Sequence, residues 1–554
     1  MLLCAKFLDV SMPELRKSGA NGRQVIRCSF PAFIIVACLA LPQALAAQPA
    51  GGPSGPLQVK VAAGIIEGFE QAPGIVAFRG IPFAAPPVGA LRWQPPQPPA
   101  AWEGVRAATA FGPDCMQFTR NRGTTAISED CLYINVYKPA GAKPGDKLPV
   151  HVWIPPGAFY QGASSDPDFD SSGDVRDGIV YVNFNYRLNV FGFMAHPALT
   201  AESPHGASGN YGLMDEVAAL QWVQANIGQF GGDPAQVTVS GVSAGGCSIG
   251  DLLASPLGKG LFRRALIQSA AAWHPQRTLA QQEAWSVAKF GSDIAALRSK
   301  PAADLLAMTA NAQGTGDGSD TLGDGRSGPF SYIDWMPIVD GYVLPKHDRQ
   351  AWKDGEFNST EIMIGDVENE GIRFILHGAP MPLTKAAYEP YMRAHYGALG
   401  DEALRVYPVA TDADVAGQFG LATGDTLFGL AAREMSRRMV KRTPNVYRYL
   451  FTRHHKLSTV AIHADEVLYF FGNVTVNDKY DETDVALSKV MQDAKRRFIK
   501  TGNPNGGELK NWTAYNQDDP LMEFGDHGAV PGAGYRNAAL DFAIRALDKL
   551  FPLQ

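Results

Sequence analysis

Between residues 237 and 246 the chain reads Val-Thr-Val-Ser-Gly-Val-Ser-Ala-Gly-Gly, a β-branched strand pattern that turns sharply into a helix. Few segments restrict a fold so narrowly. A serine held at such a strand-to-helix turn, here Ser243, needs residues without side chains two places before and two places after it, and Gly241 and Gly245 supply them. The turn pushes the hydroxyl clear of the backbone, and the helix behind it aims its N-terminal dipole at the same place. A second match to the spacing, Gly246-Cys-Ser248-Ile-Gly250, overlaps the first. No strand precedes it, and Ser248 falls inside the helix, so it reads as a structural serine.

A strand feeding a helix in this way predicts an α/β architecture. Apolar runs at Pro149–Ile154, Ile179–Tyr186, Gln236–Gly241, Ala265–Gln268, Glu361–Gly365 and Val446–Phe451 read as strands. Helical patterns alternate with them at Gly212–Ile227, Ala244–Leu253 and Ala538–Leu550. In the first of these, Leu213, Val217, Leu220 and Val223 share one face. Val- and Ile-rich strands alternating with helices predict a central, mostly parallel sheet covered on both faces. The stretch from Gln281 to Asp324, Ala-rich and then Gly/Asp-rich, reads as helices and a mobile loop outside that sheet.

No Ser/Gly linker, charge run or repeat divides the 554 residues. Low-complexity sequence is confined to the first 57 residues and to Gly314–Gly328, so one catalytic domain is expected over residues 58–554. A net charge of −6 with scattered Lys and Arg lacks the concentrated basic face that nucleic acid requires.

Arg16, Lys17, Arg23 and Arg27 precede the apolar run Phe33–Leu41, which Ala44-Leu45-Ala46 follows. Residues 1–46 therefore read as a secretory signal peptide, and residues 47–57 as a flexible Pro/Gly linker. The basic lead-in is long, which makes Met12 an alternative start. The apolar run is too short to span a bilayer and no comparable one follows, so no integral membrane segment is expected once the signal is removed. The expected destination is secreted or periplasmic. Lipid attachment at Cys38 is the alternative, because Ile35-Val-Ala-Cys38 resembles a lipoprotein cleavage box. Export leaves Cys115, Cys131 and Cys247. The first two stand 131 − 115 = 16 positions apart around a polar loop, and a disulfide there would stabilise by roughly 3 kcal/mol. Two unpaired buried thiols are the other reading. Cys247 reads as a small buried hydrophobe. No CxxC or HExxH occurs, so no metal site and no cofactor are expected.

A serine hydroxyl is a poor nucleophile until a histidine takes its proton and a carboxylate orients that histidine. At a turn of this kind the chain order is serine, acid, histidine. His377, His395, His454, His455, His463 and His527 all follow Ser243 at a distance. Order alone does not choose among them.

Several segments in sequence do choose. Phe78–Trp93, Glu129–Tyr137, Ser208–Asp215 and Phe230–Pro234 lead in order to the serine turn. Together they resemble the type-B carboxylesterases, α/β-hydrolase-fold enzymes that include bacterial esterases, some fungal lipases and the cholinesterases. The resemblance runs from about Val59 to the C-terminal helix. It implies Ser243 as nucleophile and Ala244 as the following amide donor. The family acid lies in a G-x-x-x-x-E-G pattern, and Gly365-Asp-Val-Glu-Asn-Glu370-Gly371 implies Glu370 rather than Glu368. The family histidine opens a segment like Ile462-His463-Ala-Asp-Glu, implying His463, although the family usually has Gly where Ala464 stands. His454 and His455 adjoin a strand end and read as solvated.

The chain departs from the family at the oxyanion loop, where Trp153-Ile-Pro155-Pro156-Gly157-Ala158-Phe159 replaces a His or Tyr followed by three small residues. Proline has no N–H. The resemblance places the donors at Gly157 and Ala158, which keep theirs, so the donor count is intact. Val242 stands where the family often has Glu, and the loop between Cys115 and Cys131 has no tryptophan. Both changes remove groups that would hold a quaternary ammonium. The expected activity is hydrolysis of small-molecule, uncharged carboxylic esters by acyl transfer. The alternatives are a non-catalytic scaffold, disfavoured by three intact triad positions, or a specialised lipase, toxin-ester or aromatic-polyester hydrolase. The sequence carries no signature of an oligomeric state.

Overall fold

Eleven strands form one sheet in the computed structural model, which describes residues 57–118, 126–273, 275–309, 335–376, 381–509 and 511–553. The chain divides into residues 1–49 and 50–554, and the elements below belong to the second unit. The expected signal peptide with Cys38, the linker except Leu57, the Gly/Asp patch and His377 lie outside the described residues.

Three strands come first: β1 (Phe69–Ala72), β2 (Ile75–Pro82) and β3 (Tyr133–Pro139). β4 (Leu148–Ile154), β5 (Val180–Phe184), β6 (Gly232–Val242) and β7 (Arg264–Gln268) follow. The last four are β8 (Glu361–Val367), β9 (Val446–Phe451), β10 (Pro520–Gly525) and β11 (Gly528–Ala533). Across the sheet their order is β11-β10-β9-β8-β7-β6-β4-β5-β3-β2-β1. From β10 to β5 every neighbouring pair is parallel. All residues of β5, β7 and β9 are buried, as parallel strands covered on both faces must be. The six apolar runs are all strands, and the fold is the expected α/β-hydrolase sheet. Its antiparallel edges, β1-β2-β3 and β10-β11, are not among the six runs, although β2 opens on the apolar Ile75-Val-Ala-Phe78. Tyr133-Ile-Asn-Val-Tyr-Lys-Pro mixes polar with apolar residues although it is paired on both sides and largely buried, and its polar side chains find partners there, Asn135 donating to Asn183 at 2.8 Å.

The helices α1 (Ser172–Arg176), α2 (Tyr211–Asn226) and α3 (Ala244–Ala254) come from the first half of the chain. From the second half come α4 (Ile372–Leu376), α5 (Val415–Gly424), α6 (Leu430–Met439), α7 (Val467–Phe471), α8 (Glu482–Thr501) and α9 (Asn537–Leu550). Three short helices, Leu279–Phe290, Ile294–Ser299 and Ala302–Ala307, occupy the stretch expected to lie outside the sheet. Helix α2 buries Leu213, Val217, Leu220 and Val223 as its pattern predicts, but Asp215 and Glu216 are buried too. A single apolar stripe is therefore too simple a reading of it. The buried charges have partners: Arg187 makes two guanidinium bonds to Asp215, each 2.7 Å, and the Ser248 hydroxyl donates to Glu216 at 2.8 Å. Arg92 and Glu129 likewise pair at 2.5 and 2.7 Å, joining two of the quoted segments. Cys115 and Cys131 form a disulfide. Cys247 is buried in the main core, and burial raises its thiol pKa.

Candidate active site

Ser243 sits between the end of β6 and the start of α3 with φ 57° and ψ −122°, a conformation that L-residues with side chains rarely hold without external support. Its amide donates to the Gln268 carbonyl at 3.0 Å, and its carbonyl accepts from the Cys247 amide at 2.8 Å. Both flanking glycines are sterically required. A Cβ on Gly241 would lie 2.6 Å from the Gly245 carbonyl carbon, and one on Gly245 would lie 2.2 Å from the Ile154 oxygen. The second contact also presses the end of β4 against the serine turn.

Glu370 lies three residues beyond β8 and is folded back on the strand end, accepting the Val367 amide at 3.0 Å. Its other oxygen is 2.5 Å from His463 Nδ1. A carboxylate only accepts, so a neutral imidazole facing one through Nδ1 carries its proton there and keeps a lone pair on Nε2. The loops bearing the two residues are tied by the Asn369 amide, which donates to the Ala461 carbonyl at 3.0 Å. Phe428 and Phe374 flank the imidazole, with ring centroids at 4.9 and 5.3 Å. Phe428 belongs to a π-helical turn, Asp425–Gly429, inserted between α5 and α6; such bulges recur at functional sites. Val242 and Ala464, the neighbours of Ser243 and His463, pack in one apolar cluster with Val467 and Phe471. That cluster brings the serine turn and the histidine loop together.

After β4 the chain passes Pro155 and Pro156 into Gly157, Ala158 and Phe159, at φ 132°, 52° and 63°. The amides of Tyr160 and Gln161 fold back onto the Gly157 carbonyl at 3.2 and 3.1 Å. Only glycine fits at 157, because a Cβ there would lie 1.9 Å from the Gln161 oxygen. The amides of Gly157 and Ala158 donate to no group among the described residues. Ala244 opens α3, so its N–H has no intrahelical partner. Pro155 is fixed from outside by the Tyr186 hydroxyl, which donates to its carbonyl at 3.1 Å.

A profile of the Carboxylesterase family matches residues 55–543. The chain belongs to the carboxylesterase family. It is 39% identical over 485 residues to "Fumonisin B1 esterase" of Sphingopyxis macrogoltabida, covering 85% of this chain and 87% of that one. With "Para-nitrobenzyl esterase" of Bacillus subtilis it shares 34% over 456 residues, 80% of this chain and 90% of the relative. "Liver carboxylesterase 1" of Mus musculus is 31% identical over 553 residues, 90% of this chain and 93% of the relative. This carboxylesterase is thus a carboxylic-ester hydrolase.

Elsewhere in the carboxylesterase the other sequence candidates have settled partners. Ser248 is buried against Glu216. His454 is not freely solvated, since its Nε2 lies 2.8 Å from Glu368 and its Nδ1 3.2 Å from Asp526. Nor is His455, which is buried and stacked edge-on to Tyr480. The segment beyond β9 folds back onto the sheet end, and a strand-end position gave no warning of that. Sequence reasoning missed Glu466. Fully buried, it accepts the Ser269 hydroxyl at 3.0 Å, and burial, followed by the Glu370 charge, raises its pKa to about 8. Its three-residue offset from His463 was the available signal. Among the described residues no cluster of ligating side chains could hold a metal ion, and no helix is long and apolar enough to cross a membrane.

Proposed function

We propose that Ser243, His463 and Glu370 are the catalytic triad, and that the amides of Gly157, Ala158 and Ala244 form the oxyanion hole. The observation that carries this reading is the 2.5 Å contact between His463 Nδ1 and Glu370, which leaves Nε2 as the base beside the strained serine turn. His463 takes the Ser243 proton as the oxygen attacks the ester carbonyl, and the three amides hold the negative charge of the tetrahedral intermediate. The imidazolium then protonates the leaving alcohol. Water, deprotonated by the same nitrogen, releases the acid and restores the serine. An organophosphonate should label Ser243 and not Ser248, as read by peptide mass spectrometry. His463→Ala should abolish hydrolysis of p-nitrophenyl esters, while the His454→Ala, His455→Ala double variant should retain it. Label on Ser248, or an active His463→Ala variant, would refute the assignment.

The substrate reading is a small, uncharged ester, tested with p-nitrophenyl esters of increasing acyl length. The 39% identity to a protein named for fumonisin B1 favours a toxin ester as a second reading, so fumonisin B1 belongs in the same panel. Residues 1–46 are proposed as a removable export signal ahead of a single catalytic domain over 58–554. The Cys115–Cys131 bridge supports an oxidising compartment, and N-terminal sequencing of the exported protein tests it.

A further inference from the structure

We propose that Gln117 positions the oxyanion loop, and that the Cys115–Cys131 disulfide anchors Gln117 for that task. The inference rests on the oxyanion donors named above. Gly157, Ala158 and Phe159 are three successive residues at positive φ, and two of them are not glycine. Backbone of that kind persists only where its surroundings over-determine it. The loop closes on itself at Gly162, where a Cβ would lie 2.1 Å from the Pro156 carbonyl oxygen. The place of Gly162 therefore sets the place of Pro156, the residue directly before the first donor.

Gln117 fixes Gly162 on both sides of its backbone. The Gly162 amide donates to the Gln117 side-chain oxygen at 2.9 Å, and the Gln117 Nε2 donates to the Gly162 carbonyl at 3.0 Å. The same Nε2 donates to the Cys115 carbonyl at 3.1 Å. With 6% of its surface exposed, Gln117 acts like one rung of a β-ladder between the cysteine segment and the loop. The residue between them adds a second grip. The Met116 carbonyl accepts the Asn189 side-chain amide at 2.6 Å, and the Asn189 backbone amide donates to the Phe159 carbonyl at 2.7 Å. The disulfide ties this segment to Cys131, next to β3. A side chain that only filled space there would need neither its acceptor nor its two donors.

Gln117→Leu keeps the bulk and removes all three bonds, while Gln117→Glu keeps the acceptor and removes both donors. In each, kcat for p-nitrophenyl butyrate should fall by about tenfold to a hundredfold, with KM within about twofold. A trifluoromethyl ketone whose serine adduct places an oxyanion in the hole should weaken by the same factor as kcat/KM. The plain methyl ketone of the same shape should bind as before. The Cys115→Ala, Cys131→Ala double variant should move in the same direction. Assays run at a temperature where circular dichroism shows each variant folded. A folded Gln117→Leu or Gln117→Glu enzyme with wild-type kcat, or a loss carried by KM alone, overturns the role of Gln117. Wild-type kcat in the double cysteine variant overturns the anchoring role of the disulfide. If the wild-type enzyme itself takes no phosphonate on Ser243, the triad reading has failed instead.

Discussion

Strand β6 and the turn after it carry two serines three residues apart, Ser240 and Ser243, and the contrast between them is instructive. The Ser240 hydroxyl lies 2.5 Å from His151 Nε2, and His151 Nδ1 lies 2.9 Å from Asp174. Judged by hydrogen bonds alone, this is a complete serine–histidine–acid chain. It is also sealed, with exposures of 1%, 1% and 0%. Ser240 lies inside the ladder, paired with Trp153 on one side and Leu266 on the other, while Ser243 lies one residue past its end. Asp174 also receives the Ser171 hydroxyl at 2.6 Å, Lys495 at 2.7 Å and Arg496 at 3.1 Å. Burial works to raise its pKa, but Lys495 and His151 hold it below the usual carboxylate range. The buried set joins β4, β6, α1 and α8. Hydrogen bonds alone therefore do not distinguish this sealed set from the proposed triad. What the buried set lacks is the strained turn at a strand end with unpaired amides nearby, on which the proposed role of Ser243 rests.

Exchanging the serines one at a time tests this contrast most severely. Ser243→Ala should lower kcat by a factor on the order of 10⁶, whereas Ser240→Ala should leave it within a few-fold of wild type. Turnover of a p-nitrophenyl ester decides, and a Ser240→Ala enzyme as inactive as Ser243→Ala would erase the distinction. Stability should show the reverse order. Lys495→Met uncovers a fully buried Asp174, and loss of one partner from a buried pair typically costs about 3–5 kcal/mol. Urea unfolding should report that loss while kcat per folded molecule stays constant.

Titration separates the two regions by sign. Burial lowers the pKa of His151, so below about pH 6.5 the unfolded chain takes up a proton that the folded one refuses. Stability from this site is complete above that range and falls with falling pH. His151→Gln should therefore lose less of its urea midpoint than wild type between about pH 7 and about pH 5. Glu466 has the opposite slope. Its pKa is raised to about 8, so its contribution is complete below about pH 4.3, the ordinary glutamate value, and declines as pH rises toward 8. Glu466→Gln should gain on wild type between about pH 5 and about pH 9. A flat difference for either variant contradicts the assigned protonation state. The smallest effect belongs to Pro156→Gly. Pro156 has no donor to lose, so most activity should remain, with roughly 0.4–1 kcal/mol less stability from the freer unfolded chain. A collapse of kcat with an unchanged melting temperature would show that the proline itself shapes the hole.

Of the proposed site, Ser243 alone is legible in the order of residues. Ser243 stands out because its turn demands glycine at both flanks, and the steric contacts at Gly241 and Gly245 are that demand made visible. Glu370 and His463 are legible only through the family pattern, since spacing leaves six histidines open. The partners of His454 and His455 are not legible, because they come from Glu368, Asp526 and Tyr480, far away in the chain. Nor is Gln117, whose work depends on a loop 45 residues later.

By itself, the sequence determined the parallel strands, the serine turn and the helix behind it, because each follows from local period and from the space a side chain occupies. Tertiary structure decided which polar groups meet. It sealed Ser240, His151 and Asp174 beneath α8, drew His463 onto Glu370 and gave the oxyanion loop its outside supports. Such contacts are set by distances between strand ends, which no local period encodes.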